Sequence, residues 1–245
     1  MLLPGTCCHW KSNFGGVIPL LTDRYYVVAV SYDGFDETET TVFPDMITET
    51  EKIEQYINRN LSGTVHAVYG CSLGGSFVGL LVQRGNVHIN HGILGSSDLD
   101  QDTVLKAKLK CILAVPLLHK IISTGSYPRL LQGLMEKKRT PYRDKFTEMF
   151  NMGKGGMPFV TKQSVYNQFY SDLVTPLAKG IRAPDTTIHV FYAQQMGRKY
   201  LDRYTAHFAQ PVVHTFDMLH EELLVCHPHR WAEEIISCTL PESHS

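Results

Sequence analysis

Short apolar runs alternate with longer stretches of helical periodicity along this chain of 245 residues. The runs are rich in β-branched and aromatic residues and are bounded by turn residues, which is typical of strands. They lie at 25–32, 64–70, 88–95, 186–193 and 211–216, and the first residues, MLLP, resemble the end of a further strand. Strands that alternate with helices form a parallel sheet whose faces are covered by helices. The pattern therefore predicts an α/β fold with a mostly parallel sheet of about six strands flanked by helices.

Three helices are predicted from apolar residues that recur every three or four positions. The apolar stripes consist of Ile53, Ile57 and Leu61, of Phe77, Leu80 and Leu81, and of Trp231, Ile235 and Cys238. Gly85 follows the second stripe at a position where helices commonly end, and Pro228 precedes the third near the first helical turn. We therefore expect helices around 51–61, between Ser72 and Gly85, and from Pro228 onward.

One region interrupts the alternation of strands and helices. From about 102 to 180 the sequence contains several helical stretches but no convincing strand. An insertion of this length is too long for a plain crossover between two strands. We predict a single α/β domain over 1–245, with a helical cap inserted at about 102–180 between the strands near 88–95 and 186–193.

Composition and charge exclude several classes of partner. Hydrophobic residues make up 43% of the chain, which is typical of a globular protein. The 23 basic and 24 acidic residues nearly balance, and no stretch collects Lys and Arg on one face, so nucleic acid is not expected as a partner. No apolar run reaches the roughly 18 residues that a membrane span needs, and the N-terminus lacks the features of a signal peptide. Neither a nucleic-acid partner nor a membrane span is therefore expected.

The cysteine pattern bears on the cellular compartment. The six cysteines lie at 7, 8, 71, 111, 226 and 238 and include no Cys-x-x-Cys pair. The adjacent Cys7 and Cys8 are a poor basis for a disulfide framework. We therefore expect free thiols and a cytoplasmic protein.

The sequence VYGCSLGG contains the pattern Gly-x-Ser-x-Gly at Gly70, Ser72 and Gly74. A predicted strand precedes the pattern and a predicted helix follows it, which is the context of a nucleophile elbow. In such a turn the glycines let the strand and the helix pack closely, and the strained serine projects its Oγ at the carboxyl edge of the sheet. We therefore take Ser72 as a candidate nucleophile; an ordinary structural turn between a strand and a helix is the alternative.

A serine hydroxyl needs a base before it can act as a nucleophile. The base is expected in a loop after the last strand, and His220 lies three residues after the strand at 211–216. His189 and His214 lie inside strands and are expected to be packed there or to lie at an edge of the sheet. The run CHPH at 226–229 resembles a set of metal ligands, but no partner cluster accompanies it. We therefore assign His220 as the base and expect no metal and no cofactor.

An oxyanion hole needs two backbone N–H groups that point at the developing negative charge. One is expected from Leu73, directly after the serine. The other is expected from Thr6, in the loop after the first strand, where Gly5 permits a tight bend. A simple turn at the end of a strand is the alternative interpretation of this second segment.

Together these motifs resemble those of the α/β-hydrolase superfamily, and the chain is similar to a small, cap-bearing, esterase-like serine hydrolase. LLPGT resembles the oxyanion loop, VSYDGF the turn after the fourth strand, GCSLGG the nucleophile elbow, and MLHEELLVCHPHRWAEEI the histidine loop and last helix. The resemblance covers nearly the whole chain, although the family's first two strands are absent and proline stands where the oxyanion loop usually has histidine. It implies that Ser72 is the nucleophile and His220 the base of a catalytic triad.

The acid of the triad is the point at which the sequence departs from the family. The family commonly places this carboxylate just after the penultimate strand, where the present chain has FYAQQMGRK. Some members place it after the strand before the cap, which here runs into GSSDLD, so Asp98 is the first choice and Asp100 the second. Asp202 is expected to be solvated on a helix, Asp33 to brace its turn, and Glu221 not to reach the ring of the base beside it. A dyad of serine and histidine without an acid is the alternative.

The resemblance implies a serine hydrolase that cleaves a carboxylic ester, or a related acyl bond, through an acyl-enzyme. Apolar residues of the predicted cap favour a small, hydrophobic substrate, or only seal the cap to the core. They are Ile112, Leu113, Val115, Leu117, Leu118, Ile121 and Ile122. Two alternatives stay open: an acyltransferase that uses the same nucleophile, and a hydrolase-like binding protein whose catalysis has decayed.

Overall fold

The computed structural model describes residues 1–128, 140–150 and 155–240. These residues form a sheet of five strands in the order β1-β2-β3-β4-β5, and all four neighbouring pairs are parallel. The strands are β1 (Leu2–Leu3), β2 (Thr64–Gly70), β3 (His88–Leu94), β4 (Thr187–Ala193) and β5 (Val212–Phe216). The α/β fold with a parallel sheet is confirmed, although the sheet has five strands rather than about six.

The segment at 25–32 is the predicted strand that the sheet lacks. It contributes one isolated parallel bridge, between Leu2 and Ala29. Leu2 N–H donates to Val28 O at 2.8 Å, and Val30 N–H donates to Leu2 O at 3.0 Å. Because β1 is only two residues long, it offers a partner to no more than a short piece of this segment. The prediction of a full strand here is wrong.

Ten α-helices flank the sheet in the described residues. They are α1 (Trp10–Phe14), α2 (Ile18–Leu21), α3 (Met46–Asn60), α4 (Leu73–Arg84), α5 (Val104–Thr124), α6 (Pro141–Glu148), α7 (Lys162–Val174), α8 (Arg198–His207), α9 (Glu222–Cys226) and α10 (Pro228–Thr239). The three helices expected from apolar periodicity are α3, α4 and α10. Gly85 ends α4 in the left-handed conformation, with φ 63°, and Pro228 lies in the first turn of α10, as expected.

Helices α5, α6 and α7 lie between β3 and β4, in the described part of the predicted insertion. Residues 129–139 and 151–154 of that insertion lie outside the described residues. Helix α5 packs against α7, and it continues through Pro116 without a break. That this helical segment forms a cap over the site stays a prediction.

Two apolar clusters cover the two faces of the sheet. One contains Val68 of β2 together with Phe77 of α4, and the other contains Tyr69 of β2 together with Trp231 of α10. Val68 and Tyr69 belong to different clusters because successive side chains of a strand point to opposite faces. The sheet is therefore buried on both sides, as expected for a parallel sheet.

Four histidines on neighbouring strands form a row, here called the histidine row. His91 Nδ1 lies 3.2 Å from His189 Nε2, and His189 Nδ1 lies 3.1 Å from His214 Nε2, so both pairs are within hydrogen-bond distance. The ring of His66 lies edge-on to that of His91, with 5.2 Å between their centroids. His189 and His214 are packed within the sheet, as expected.

In the described part of the chain, no helix combines the length and the apolar character that crossing a bilayer requires.

Candidate active site

Ser72 lies at a sharp turn between β2 and α4. Gly70 ends the strand, Leu73 begins the helix, and Ser72 has φ 47° and ψ −111°. A residue with a side chain rarely adopts such a positive φ, because its Cβ crowds the backbone. Ser72 lies half-buried at the carboxyl edge of the sheet. This geometry favours a nucleophile elbow over an ordinary turn.

Gly70 and Gly74 allow three elements to meet at this turn. A Cβ added at Gly70 would collide with the backbone of Gly74, and a Cβ added at Gly74 would collide with the carbonyl of Leu3 at the end of β1. Both positions therefore require glycine. This close packing is the physical reason for the spacing Gly-x-Ser-x-Gly.

The cysteine beside the serine is unsuited to act as a nucleophile. Cys71 is fully buried, and burial, followed by the negative charge of Glu221, raises the pKa of its thiol well above the ordinary value. A thiol attacks as the thiolate. Cys71 therefore stays protonated, and Ser72 remains the candidate nucleophile of the turn.

The loop after β1 lies directly against the elbow. A Cβ added at Gly5 would lie 3.6 Å from Ser72 Cβ and 3.5 Å from Cys71 O. Gly5 N–H donates to Asn13 Oδ1 at 2.8 Å, and the Asn13 amide donates to Cys71 Sγ at 3.3 Å. Asn13 thus ties the loop to the elbow, a role that the sequence motifs do not indicate.

The same loop is held from the other side by the insertion. Cys7 N–H donates to Oε1 of buried Gln168, on α7, at 2.6 Å. Thr6 lies between these two attachments. Neither its N–H nor that of Leu73, at the start of α4, has a hydrogen-bond acceptor in the part of the chain that the structure describes. Two unpaired N–H groups beside a candidate nucleophile are what an oxyanion hole needs.

His220 lies in the loop between β5 and α9, at the same edge of the sheet. Tyr142 of α6 donates its O–H to His220 O at 2.8 Å. The ring of Phe146, on the same helix, lies edge-on to the imidazole with 5.9 Å between centroids. Helix α6 therefore fixes both the backbone and the ring of the candidate base.

Glu221 joins the loop of His220 to the elbow of Ser72. Its Oε1 accepts the N–H groups of Ser72 and Ser96, each at 2.8 Å, and its Oε2 accepts the O–H of Tyr69 at 3.1 Å. Glu221 is 2% exposed, and a buried carboxylate is tolerated when such donors satisfy it. As expected, the Glu221 carboxylate does not hydrogen-bond to the ring of the neighbouring His220. Its contact with the nucleophile backbone was not foreseen from the sequence.

No acid among the described residues is hydrogen-bonded to the candidate base. His220 Nδ1 is buried and has no hydrogen-bond partner among the described residues. Burial and the charge of Asp100 raise the pKa of Asp98, whereas the charge of His220 lowers it. Asp98 is therefore close enough to His220 for their charges to interact, but it does not bond to the ring.

The other candidate acids are engaged elsewhere. Asp100 forms ion pairs with Arg203 and, at 3.8 Å, with Lys110. Asp202 is exposed and pairs with Arg198 at 3.0 Å along helix α8, as expected for a solvated residue. The remaining candidate, Asp33, pairs with Lys52 of α3. None of these three carboxylates is directed at the base.

A further carboxyl group lies between the elbow helix and the insertion. Asp172 of α7 lies beside Ser76 of α4, one turn after Ser72, and the two residues line the same small cavity. Burial, and then the charge of Asp98, raises the pKa of Asp172 to about 8. At neutral pH this carboxyl group is therefore largely protonated, which lets it join the two helices without a buried charge.

One group of three potential metal ligands occurs among the described residues, formed by His9, Asp36 and Glu37. His9 Nδ1 accepts the N–H of Lys11 at 3.1 Å and caps helix α1. The ring proton of neutral His9 therefore lies on Nε2, the nitrogen that faces Glu37 at 3.1 Å. A protonated ring nitrogen has no lone pair for a metal. His9 therefore acts as a helix cap, and its neutral ring lies against Glu37, which forms an ion pair with Lys11 at 3.1 Å.

The fold matches many solved structures along nearly its whole length. An α/β-hydrolase family protein from Desulfitobacterium hafniense is 15% identical, with a TM-score of 0.76 over 97% of this chain and 94% of that chain. A thermophilic esterase from Thermogutta terrifontis is 16% identical, with a TM-score of 0.66 over 97% of this chain and 87% of that one.

A third similar structure is a 2-hydroxy-6-oxo-6-phenylhexa-2,4-dienoate hydrolase from Rhodococcus sp. strain RHA1. It is 20% identical, with a TM-score of 0.59 over 96% of this chain and 88% of that chain. The sequence itself matches no protein-family model and no curated protein. Sequence identities this low establish the fold alone. The chemistry has to be inferred from the residues of the candidate site. On the strength of its architecture, the chain has the α/β-hydrolase fold.

Proposed function

We propose that the protein is a serine hydrolase that cleaves a carboxylic ester of a small, hydrophobic substrate through an acyl-enzyme. The observation that carries the proposal is the strained Ser72. Beside it lie two N–H groups that have no acceptor among the described residues, and Glu221 ties the loop of His220 to it. This combination supplies a nucleophile, an oxyanion hole and a base at one edge of the sheet.

In the first half of the reaction Ser72 Oγ attacks the acyl carbon of the ester while His220 accepts the hydroxyl proton. The N–H groups of Leu73 and Thr6 stabilise the negative charge that develops on the carbonyl oxygen. His220 then donates its proton to the departing alcohol, and the acyl group stays on Ser72. In the second half water attacks the acyl carbon while His220 accepts a proton from it. His220 then returns this proton to Ser72 Oγ as the bond to the acyl group breaks, and the carboxylic acid leaves.

Asp98 is our candidate for the carboxylate that orients His220. It is half-buried and interacts with the charge of His220. An imidazole that has taken a proton is stabilised by a nearby carboxylate. In the present conformation the base has the arrangement of a dyad, and Asp98 has to turn toward Nδ1 to complete a triad.

A hydrophobic acyl portion is supported by the surroundings of the base. The rings of Tyr142 and Phe146 lie 5.6 Å apart, those of Phe146 and Phe150 lie 5.5 Å apart, and Phe146 contacts His220. Ester hydrolysis is also the activity in the name of the Thermogutta terrifontis protein. The six free cysteines support a reducing compartment, and we place the protein in the cytoplasm.

The proposal is tested with a fluorophosphonate probe and with chromogenic esters of increasing acyl chain length. The wild-type protein should be labelled by the probe, and Ser72→Ala should abolish labelling and lower kcat by at least about 10³-fold. Ser62→Ala is a matched control, since exposed Ser62 also has a positive φ, 53°, at the other end of β2. Equal labelling of the Ser72→Ala and wild-type proteins contradicts the proposal.

His220 Nδ1 has no hydrogen-bond partner among the described residues, which favours one alternative function, a binding protein whose catalysis has decayed. Such a protein would bind the ester without turnover and without labelling by the probe. An acyltransferase would label but would transfer the acyl group to an added alcohol or amine in preference to water. Product analysis with a competing acceptor separates this second alternative from a hydrolase.

A further inference from the structure

Helix α5 presents large apolar side chains to solvent. The exposed fractions are 54% for Val104, 79% for Leu105, 60% for Leu109, 68% for Ile112, 73% for Leu113 and 38% for Leu117. Three of these residues, Ile112, Leu113 and Leu117, were expected to contact substrate or to seal the cap to the core. In the described structure these three side chains are exposed, and together the six residues define the outer apolar face of α5.

The opposite side of the same helix is already used for packing. Ala107, Cys111, Val115 and Ile122 are buried, and α5 packs there against α7. A helix that is apolar on all sides is normally enclosed by protein or by lipid. Among the described residues, protein encloses only one side of α5, and no described element covers the outer apolar face.

The charges of α5 are all of one sign. The helix contains four lysines and no aspartate or glutamate between Val104 and Thr124. Lys110 pairs with Asp102 at 2.6 Å. Lys106, Lys108 and Lys120 are exposed and form no ion pair within the described residues. Free lysines beside exposed leucines are the pattern of helices that lie on anionic membrane surfaces.

We propose that the outer apolar face of α5 docks on the surface of an anionic lipid bilayer, with the helix in the plane of the interface. The leucines would enter the boundary between headgroups and acyl chains, and the lysines would contact anionic headgroups. A second copy of this chain fits the same face less well. Two such helices packed against each other would bring lysines together with no acidic residue of α5 to neutralise them.

Docking would place on the bilayer a helix that is close in sequence to the candidate active site. Helix α5 starts six residues after Asp98, which follows β3 at the edge of the sheet that carries Ser72. A hydrophobic substrate could then reach the site from the bilayer rather than from water. The docking proposal itself rests on the outer apolar face and not on the proposed function, and it is measured by binding alone.

The test is cosedimentation of the full chain with vesicles of phosphatidylcholine alone and of phosphatidylcholine with phosphatidylglycerol in a two-to-one ratio. Wild-type protein should bind the anionic vesicles, bind the neutral vesicles much more weakly, and dissociate at high salt because headgroup contacts are screened. The double variant Leu109→Gln/Leu113→Gln should bind at least about tenfold more weakly. Both substitutions are at exposed positions, so folding should be unaffected.

Lysine substitutions test the electrostatic part of the proposal. Lys106→Gln/Lys108→Gln should weaken binding to anionic vesicles by about fivefold for each lysine. The control Lys179→Gln/Lys199→Gln makes the same change in net charge at exposed positions outside α5 and should bind like wild type. This comparison separates a specific surface from a general effect of charge.

Two results overturn the proposal. One is wild-type binding to anionic vesicles that is no stronger than that of Leu109→Gln/Leu113→Gln. The other is a wild-type dimer in solution that the same double variant converts to a monomer, because the outer apolar face is then the interface between two copies. Neither result bears on whether Ser72 reacts with a fluorophosphonate, so failure here leaves the proposed function standing.

Discussion

At the scale of single residues, Glu221 explains how a strained serine and a distant histidine are kept in register. The carboxylate holds the N–H of Ser72 and of Ser96, while its own backbone is continuous with His220. Glu221 adopts φ 55°, a left-handed conformation that is uncommon for a residue with a side chain. We infer that Glu221 is a positioning residue whose hydrogen bonds, rather than its charge, set the geometry of the site.

The inference predicts different outcomes for two substitutions of Glu221. Glu221→Gln keeps an oxygen that can accept both N–H groups and should hold kcat within about tenfold of wild type. Glu221→Met leaves these N–H groups buried without an acceptor and should lower kcat by at least about 10²-fold, with KM little changed. Steady-state kinetics on a chromogenic ester measure both, and Glu233→Met, at an exposed position of α10, is the control. An equal loss in Gln and Met variants would show that the charge is what matters.

A second residue-scale prediction concerns the acid. Asp98→Asn should lower kcat by at least about 10²-fold with little change in KM, because an acid of the triad acts mainly in the transition state. Asp100→Asn should have a much smaller effect, since Asp100 is paired with Arg203 and Lys110. Kinetics of the two purified variants, with circular dichroism as a check on folding, decide between them. If both variants keep near-full activity, the site is a dyad and our placement of Asp98 fails.

The sequence indicated Ser72 and His220 because each carries a local signal. Ser72 is flanked by glycines between a strand and a helix, and His220 follows the last strand. Glu221 and Asn13 gave no such signal, since they act on backbone N–H groups and on a loop that the fold brings to them. Contacts of this kind depend on the three-dimensional arrangement and leave no pattern in the chain.

At the scale of elements, the sequence predicted strands and helices well where their partners are long. The strand expected at 64–70 is found as Thr64–Gly70, and the one expected at 186–193 as Thr187–Ala193. The segment at 25–32 has an equally strand-like sequence but makes only one bridge. Whether this segment pairs as a strand depends on the length of β1, which the sequence of the segment does not encode. A local sequence pattern therefore does not predict whether a strand finds a partner in the sheet.

The contact between α7 and α4 leads to a prediction about pH. Because burial raises the pKa of Asp172 to about 8, the folded protein holds this proton more tightly than the unfolded chain does. The free energy of unfolding should therefore fall as pH rises from about 4 to about 8. Asp172→Asn, which keeps a partner for Ser76 without titrating, should be more stable than wild type at pH 8 and similar to it near pH 4. Urea unfolding over this range measures the difference.

The control for this prediction is Asp185→Asn, at an exposed position outside the two helices. It should follow the pH dependence of wild type. A constant difference in stability between Asp172→Asn and wild type at every pH would mean that Asp172 does not titrate in this window.

At the scale of the whole molecule, the sheet carries two separate groups of polar side chains. One is the candidate active site at the carboxyl edge, and the other is the histidine row. The candidate active site gathers at the carboxyl ends of β2, β3 and β5, whereas the histidine row crosses four strands away from that edge. In the row, hydrogen bonds between neutral rings need one ring to donate and the next to accept. The hydrogen bonds of the histidine row therefore require neutral rings. Because the row crosses four strands, the loss of these bonds would affect most of the sheet.

Acid should consequently weaken the whole fold through His189. Burial, together with the charges of His214 and His91, lowers the pKa of His189 to about 4. The unfolded chain binds this proton near the ordinary value of about 6.5, so the free energy of unfolding should fall as pH drops from about 6.5 to about 4. His189→Gln has no titrating ring and should lose less stability across this window, although at pH 7 it should be no more stable than wild type. His88→Gln, at an exposed position of β3, is the control and should follow wild type. Urea unfolding of the three proteins at pH 7 and pH 5 tests this, and equal losses in wild type and His189→Gln would exclude the histidine row as a source of acid sensitivity.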